Sequence, residues 1–268
     1  LGSGCTDTST ICLSYGTTAT VQTSSPKYLE TQRFFPAYPS ALPNSYNTEV
    51  MIYRGFWMIN WFKEEFGHPE VHRAQTQGTT PETFFEELIK RVPPGADGLI
   101  LQPYWSPGLK NPGLEARGSI LGFSGIHTRA HIYRAIIEGI AYALRKGVER
   151  TQHTTGNEAS KIIISGGGSQ SNEIMQLTAD ILGKTTYRPH TYETSSLGAA
   201  VNAAVGLGIY PNHKEAVKFM TRLKDSFHPI PSNTALYNAY YHRAYQHIYP
   251  RLYPIFKQIR LISQQFKA

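Results

Sequence analysis

Cysteine is almost missing from this chain: Cys5 and Cys12 are the only two among 268 residues. That count excludes a disulfide framework, supplies too few soft ligands for a structural metal site, and suits a reducing cytoplasm. The ten histidines include no His-Glu-x-x-His or similar close spacing, so they suggest no metal centre. Long apolar runs are missing as well. No stretch approaches the roughly 18 residues that a membrane span requires. The opening LGSGCTDTSTICLSY has neither the basic start nor the apolar centre of a signal peptide. An initiator Met is absent too, which reads as a processed or excised chain. Charged residues make up only 17% and hydrophobic ones 40%, the balance of a globular chain rather than a disordered one. The formal net charge of +7 is scattered, with basic residues where helix C-termini would place them, as in Arg145-Lys146 and Lys218 to Lys224. A solvated basic surface is the expectation, not a nucleic-acid face.

What is present is a concentration of glycine at one point. In KIIISGGGSQSNEIMQLTAD, residues 161–180, a buried-strand pattern runs into three glycines and then into a polar, helix-like segment. Three glycines cost backbone entropy on folding, so a tight turn or close approach from outside must justify them. At a strand-to-helix junction, free amides and the positive end of the helix dipole converge on one spot, which suits a phosphate or a flat nucleoside. A Walker loop is excluded, because no Gly-Lys-Ser/Thr follows. The dinucleotide fingerprint fits poorly, since Ser171 stands where its third glycine belongs. The nucleophile elbow is also missing. A tight turn without any ligand explains these glycines as well as a site does.

Around this point the pattern alternates. Residues 10–24 read as two short strands joined by a turn at Gly16, and residues 26–50 as a surface excursion rich in Pro, Tyr, Ser and Asn. A helix is expected over Tyr53–Phe66, ending at Gly67 and His68. A second, capped by Thr80 with Pro81 at its first position, runs to about Val92. Leu99–Tyr104 and Ser119–Phe123 read as strands flanking a Pro/Gly-rich loop at 107–113. A long helix from Thr128 to Arg150 carries Ile132, Ile136, Ile140 and Ala143 on one face. The strand Lys161–Ser165, the helix Asn172–Leu182, the strand Thr185–Arg188 and the helix Ser195–Leu207 follow. The tail, Ala235 to Phe266, reads as peripheral helix broken near Pro250 and Pro254, its tyrosines packed on the body. Strand pairs followed by alternating helices and strands imply an α/β sheet covered on its faces.

Two further stretches bear on function. Ser14-Tyr15-Gly16-Thr17-Thr18 is a turn whose amides and hydroxyls can donate to phosphate oxygens, although threonine is also an ordinary strand residue. The helix from Ser195 is dominated by small residues suited to close backbone packing, with Glu193 and Thr194 capping it.

Taken in order, these features resemble the C-terminal half of the FGGY carbohydrate kinases, the family of glycerol kinase, xylulokinase and ribulokinase. Gly118-Ser119-Ile120-Leu121-Gly122-Phe123, seven residues, then His131 to Glu138 look like the family's second signature. Gly166-Gly167, Ser171, Gln176 and Ala179-Asp180 match its adenosine motif, and Gly16-Thr17-Thr18 its second phosphate motif. The resemblance runs from the first residues to about Tyr210. It implies an actin-like ATPase lobe of the ribonuclease-H-like kind, a mixed sheet flanked by helices over residues 1–210. A C-terminal helical extension over 211–268 would pack on the same lobe.

Carried over, the resemblance sets adenine and ribose against Gly166, Gly167, Gly168 and Ser171, with Asn172 nearby. It sets Thr17, with Gly16 and Thr18, toward the β- and γ-phosphates, and brings Asn60 within reach of the nucleotide. Glu138 and its helix look structural. ATP and Mg2+ are the implied cofactors. The implied partners are ATP or ADP and a carbohydrate held mostly by a lobe outside this sequence; a homodimer is left open, and neither nucleic acid nor membrane is expected. Relatives activate the sugar hydroxyl with an aspartate shortly before a Gly-x-Gly turn. Gly2-Ser3-Gly4 looks like that turn, so the base is expected upstream of Leu1. The other reading is a free-standing actin-like module that binds nucleotide or a protein partner without catalysis.

Overall fold

A computed structural model describes residues 1–108 and 112–266, so part of the expected 107–113 loop, residues 109–111, lies outside the described residues. The chain forms β1 (Thr10–Tyr15), β2 (Ala19–Ser25), β3 (Tyr38–Pro39) and β4 (Tyr46–Ile52), then α1 (Trp57–Phe66), α2 (His68–Gln77) and α3 (Pro81–Lys90). A small β5–β6 pair (Ile100–Gln102, Ser119–Leu121) precedes the long α4 (Arg129–Thr155). After it come β7 (Lys161–Ser165), α5 (Asn172–Leu182), β8 (Thr186–Pro189), α6 (Thr194–Gly206), α7 (His213–Met220) and β9 (Leu223–Phe227). The helices α8 (Pro231–Tyr240) and α9 (Gln246–Gln265) close the chain.

The main sheet runs β3-β4-β2-β1-β7-β8-β9. Its centre is parallel, β1 with β7 and β7 with β8, and its flanks are antiparallel. It is the mixed sheet flanked by helices that the resemblance implied. Side chains alternate across a strand, so Ile11, Leu13, Ile162 and Ile164 face the main core while Cys12 and Ile163 turn to a smaller cluster with Cys5 on the other side. Helix α4 fills the core face. Gly147 lets it close on the sheet, because a Cβ there would stand 2.8 Å from Val21 Cγ2.

One ion pair ties this layer together. Glu138 on α4 is 3% exposed and accepts from Arg134 Nε at 2.7 Å, the Tyr237 hydroxyl at 2.8 Å and the Gly95 amide at 2.9 Å. Arg134 spends its other donors on the Ile89 and Val92 carbonyls and on Tyr237. Burial pushes the Glu138 carboxyl up, and these donors pull it back. The expected structural part for Glu138 fits this geometry: it joins α4, the end of α3 and α8.

Three expectations need correcting. Residues 46–50 are not surface excursion but part of β4, which is hydrogen-bonded to β2 along its whole length from Ala19↔Ile52 to Ser25↔Tyr46. Its inward residues Thr48, Val50 and Ile52 alternate with Asn47, Glu49 and Met51, and the prolines and serines upstream hid that alternation. The helix from Ser195 is followed by α7 and by β9, which pairs with β8; LKDSF carries too little apolar pattern to announce a strand. The tail does not break at Pro250 or Pro254: α9 runs through both. The two prolines are four residues apart and both exposed, so the carbonyls they leave unpaired face water. The opposite side is held by wholly buried Tyr237, Tyr241 and Tyr245, with Ile248 and Phe256, and a π-helical turn at Tyr241–Tyr245 sets the register.

Candidate functional site

The parallel pairing of β1 with β7 matches Ser14 to Ser165. Both strands therefore end at the same edge of the sheet, and the turn after each emerges beside the other. The first turn, Gly16–Thr18, is docked on α1: the Gly16 carbonyl accepts from the Phe56 amide at 3.1 Å and the Thr17 carbonyl from Trp57 at 3.3 Å. Thr18 donates its hydroxyl to the Tyr53 carbonyl. The second turn, Gly166–Gln170, leads into α5, whose first turn is capped by Ser171 Oγ accepting from the Ile174 amide.

These turns form one side of an open cleft lined by Tyr15, Gly16, Thr17, Trp57, Asn60, Gly167, Gly168 and Ser171. Its cavity volume is about 670 Å³, within the roughly 300–1,000 Å³ of small-ligand sites. An open face of that size suits half of a clamp. Of the residues proposed from sequence, Gly16, Thr17, Asn60, Gly167, Gly168 and Ser171 meet on this wall. Thr18, Gly166 and Asn172 do not line it. Asn172 instead accepts from Arg188 across α5 and β8.

The three glycines do different things. Gly166 sits at φ 88° against the Tyr15 backbone, where a Cβ would come within 2.9 Å; its amide donates to the Tyr192 carbonyl. Gly168 makes room for a ring, since a Cβ there would stand 2.4 Å from Phe56 Cε1. Phe56 in turn stacks on Tyr15 at 4.4 Å between centroids, and the Tyr15 hydroxyl meets Thr178 Oγ1 at 2.6 Å. Only Gly167 opens on space: a Cβ there meets nothing within 4 Å.

The opposite wall comes from α3 and was not legible in the sequence. Thr80, Glu82, Thr83 and Glu86 line it, with Tyr133 of α4 behind. Burial raises the Tyr133 hydroxyl well above the ordinary phenol, and Glu82 and Glu86 add to that shift. Glu82 is paired with Lys63 at 3.4 Å. The acidic N-terminal turn of α3 was visible as a helix start, but nothing in its sequence says that it borders a cleft. No Lys or Arg lines the cleft among the described residues, so the groups it offers to anionic oxygens are backbone amides, hydroxyls and the side-chain amides of Asn60 and Gln170. Among the described residues no group of three or more His, Cys, Asp or Glu could hold a metal ion, and no helix is long and apolar enough to cross a membrane.

The model of the FGGY family of carbohydrate kinases, C-terminal domain, matches residues 11–207. The uncharacterized sugar kinase YgcE of Escherichia coli K12 is 34% identical over 241 residues, 89% of this chain and 48% of that protein. A xylulose kinase of Lactococcus lactis is 31% identical over 248 residues, 90% of this chain and 46% of that one. The crystal structure of a xylulose kinase from Rhodospirillum rubrum superposes with a TM-score of 0.80 at 25% identity, over 96% of this chain and 50% of its own. The chain spans about half the length of the curated relatives it matches.

Proposed function

The chain belongs to the FGGY family of carbohydrate kinases as its C-terminal domain, and on that premise we propose that its cleft holds ATP for phosphoryl transfer to a sugar hydroxyl. The observation that carries this reading is the register Ser14↔Ser165, which brings the Gly16–Thr17 turn and the open Gly167 to one wall. In this reading the nucleoside lies over Gly167 and Ser171, and its phosphates reach the amides and hydroxyls of Gly16 and Thr17. Gly166 and Gly168 shape the wall from behind. Asn60, exposed on α1 beside the same cleft, reaches the nucleotide from the side.

The space over Gly167 fits the group, because it is a cradle that any side chain would fill. Mg2+ fits differently: this ion keeps waters and is usually bound through substrate phosphates with one or two carboxylates, so the described residues need not form a cage. What these residues supply is positioning and preorganised dipoles, the main protein contribution to phosphoryl transfer. In this reading proton abstraction and most of the hold on the sugar belong to the part of the relatives that this chain does not span. Leu1–Gly4 packs on the first turn of α6, where a Cβ on Gly2 would strike the Thr194 carbonyl; Thr194 donates to Ser165 at the end of β7. We place the base on this side of the cleft. An ATP-dependent kinase of this kind works in the cytoplasm, and the sugar is left to the other lobe. Calorimetric titration of the chain with ADP, and with GDP for base preference, tests the reading.

A further inference from the structure

The wall of the cleft that α3 provides carries an acceptor with nothing to accept from. Glu82, Glu86 and Lys90 follow one another at intervals of four residues and share one helix face. The outer two are paired, and to different elements: Glu82 with Lys63 of α1 at 3.4 Å, and Lys90 with Glu173 in the first turn of α5 at 3.4 Å. Those pairs hold α3 between α1, which docks the Gly16–Thr18 turn, and α5, which follows the glycines. Glu86 lies between them, half-buried, and lines the cleft together with Gly167, Gly168 and Ser171. The next carboxylate, Glu87, is spent on Arg73 and Arg91. Glu86 has no hydrogen bond and no ion pair among the described residues.

Its charge restricts what can sit beside it. An ionised carboxylate only accepts hydrogen bonds, and it repels phosphate oxygens. The diphosphate of a bound nucleotide therefore belongs away from Glu86, on the Gly16–Thr17 turn, and whatever faces Glu86 must donate. A nucleoside has two donors side by side in one place, the 2′- and 3′-hydroxyls of its ribose. The edge of adenine is a poorer match, because its amino donor is flanked by ring nitrogens that accept. The two oxygens of one carboxylate match two vicinal hydroxyls, the chemistry by which an acidic residue holds ribose in dinucleotide-binding sheets.

We propose that Glu86 binds the ribose of the nucleotide, its carboxylate oxygens accepting from the 2′- and 3′-hydroxyls. This rests on the reading of the cleft as a nucleotide site, and it adds the contact from the wall opposite the glycines. It makes the cleft selective for ribonucleotides over deoxynucleotides, a choice that Gly167 and the amides of the Gly16–Thr17 turn do not make.

The test titrates ADP and 2′-deoxy-ADP calorimetrically into the wild-type chain and into Glu86→Ala. The wild type is expected to bind ADP about tenfold more tightly than 2′-deoxy-ADP, the worth of one charge-assisted hydrogen bond. In Glu86→Ala, ADP weakens about tenfold or more and the two nucleotides bind alike. The direction separates this outcome from a carboxylate that is merely solvated, whose removal lessens repulsion of the phosphates and tightens ADP. Tighter or unchanged ADP binding by a folded Glu86→Ala, or the same deoxy penalty in both proteins, overturns the proposal. So does a preference for GDP over ADP that disappears with Glu86, which would set the donors of the guanine edge, not the ribose, against the carboxylate. The wild-type comparison decides without the variant, should Glu86→Ala misfold: equal affinity for ADP and 2′-deoxy-ADP overturns the ribose contact alone. No ADP binding by the folded wild type contradicts the nucleotide site itself, and the ribose contact falls with it.

Discussion

The ring of Phe56 occupies the space that a side chain on Gly168 would need: a Cβ there would stand 2.4 Å from Cε1. Residue 168 is therefore fixed as glycine by the protein itself. Gly168→Ala is expected to displace Phe56 from its stack on Tyr15 and to lower stability by about 1–3 kcal/mol, the usual cost of overpacking. Urea denaturation measures it. An unchanged midpoint would mean that Phe56 moves aside freely and that the wall is softer than its packing implies.

Glu138 and Arg134 form the buried pair that joins α4 to the end of α3 and to α8. Glu138→Gln leaves Arg134, 9% exposed on its side chain, without its counter-charge. Removing one member of such a pair typically costs about 3–5 kcal/mol, because the remaining charge is stranded in a low dielectric. The expected outcome is a clear drop in thermal midpoint with the secondary structure kept at low temperature. A loss below about 1 kcal/mol would show that water reaches Arg134.

Much of this was written in the sequence. The run Lys161–Ser165 into three glycines located β7 and its turn, and the hydroxyl-rich turn at Gly16–Thr18 located the other lip of the cleft. Both are local signals: apolar strand residues followed by residues with unusual backbone freedom. The division of labour among the glycines was not legible. Gly166 answers to Tyr15 and Gly168 to Phe56, partners 151 and 112 positions away in the chain by subtraction of their numbers, and only packing reveals them. Glu82 and Glu86 were readable as the start of α3 but not as a cleft wall, since position on a wall is a tertiary property. The strand β4 hid because its inward set mixes polar Thr48 with Val50 and Ile52 while Met51 faces outward, and β9 because an edge strand needs few apolar residues. Through-going α9 contradicted its prolines because tertiary burial of one face outweighs two missing amides on the other.

The buried tyrosines give a pH signature. Burial raises Tyr142, Tyr237 and Tyr245 above the ordinary phenol value of 10.0. Above about pH 10 the unfolded chain releases these protons and the folded chain keeps them. The folded state then binds more protons, so stability is full below pH 10 and falls as pH rises. Tyrosinate absorbance should rise in two stages, exposed phenols first and buried ones only with loss of structure by circular dichroism. A single smooth titration with the fold intact would contradict the burial of α8 against α4.

The chain alone should phosphorylate no sugar. General acid–base assistance contributes about 10²- to 10⁴-fold, and orientation of the acceptor by a second lobe contributes more. A coupled assay over pentoses, pentuloses, hexuloses and polyols with Mg-ATP checks this. Sugar-dependent ADP release would mean that a base lies within these residues and would overturn its assignment to a position before Leu1.

Calorimetric titration of ADP into the wild-type chain and into Gly167→Val, with circular dichroism on both, bears most directly on the cleft. Gly167 faces open space, so valine should leave the fold intact while filling the floor on which the nucleoside lies. The expected result is saturable binding at about 0.1–1 mM for the wild type and a loss of about tenfold or more for the variant. No binding of millimolar ADP to a folded wild-type chain, or equal binding by both proteins, would contradict the assignment of this wall to a nucleotide.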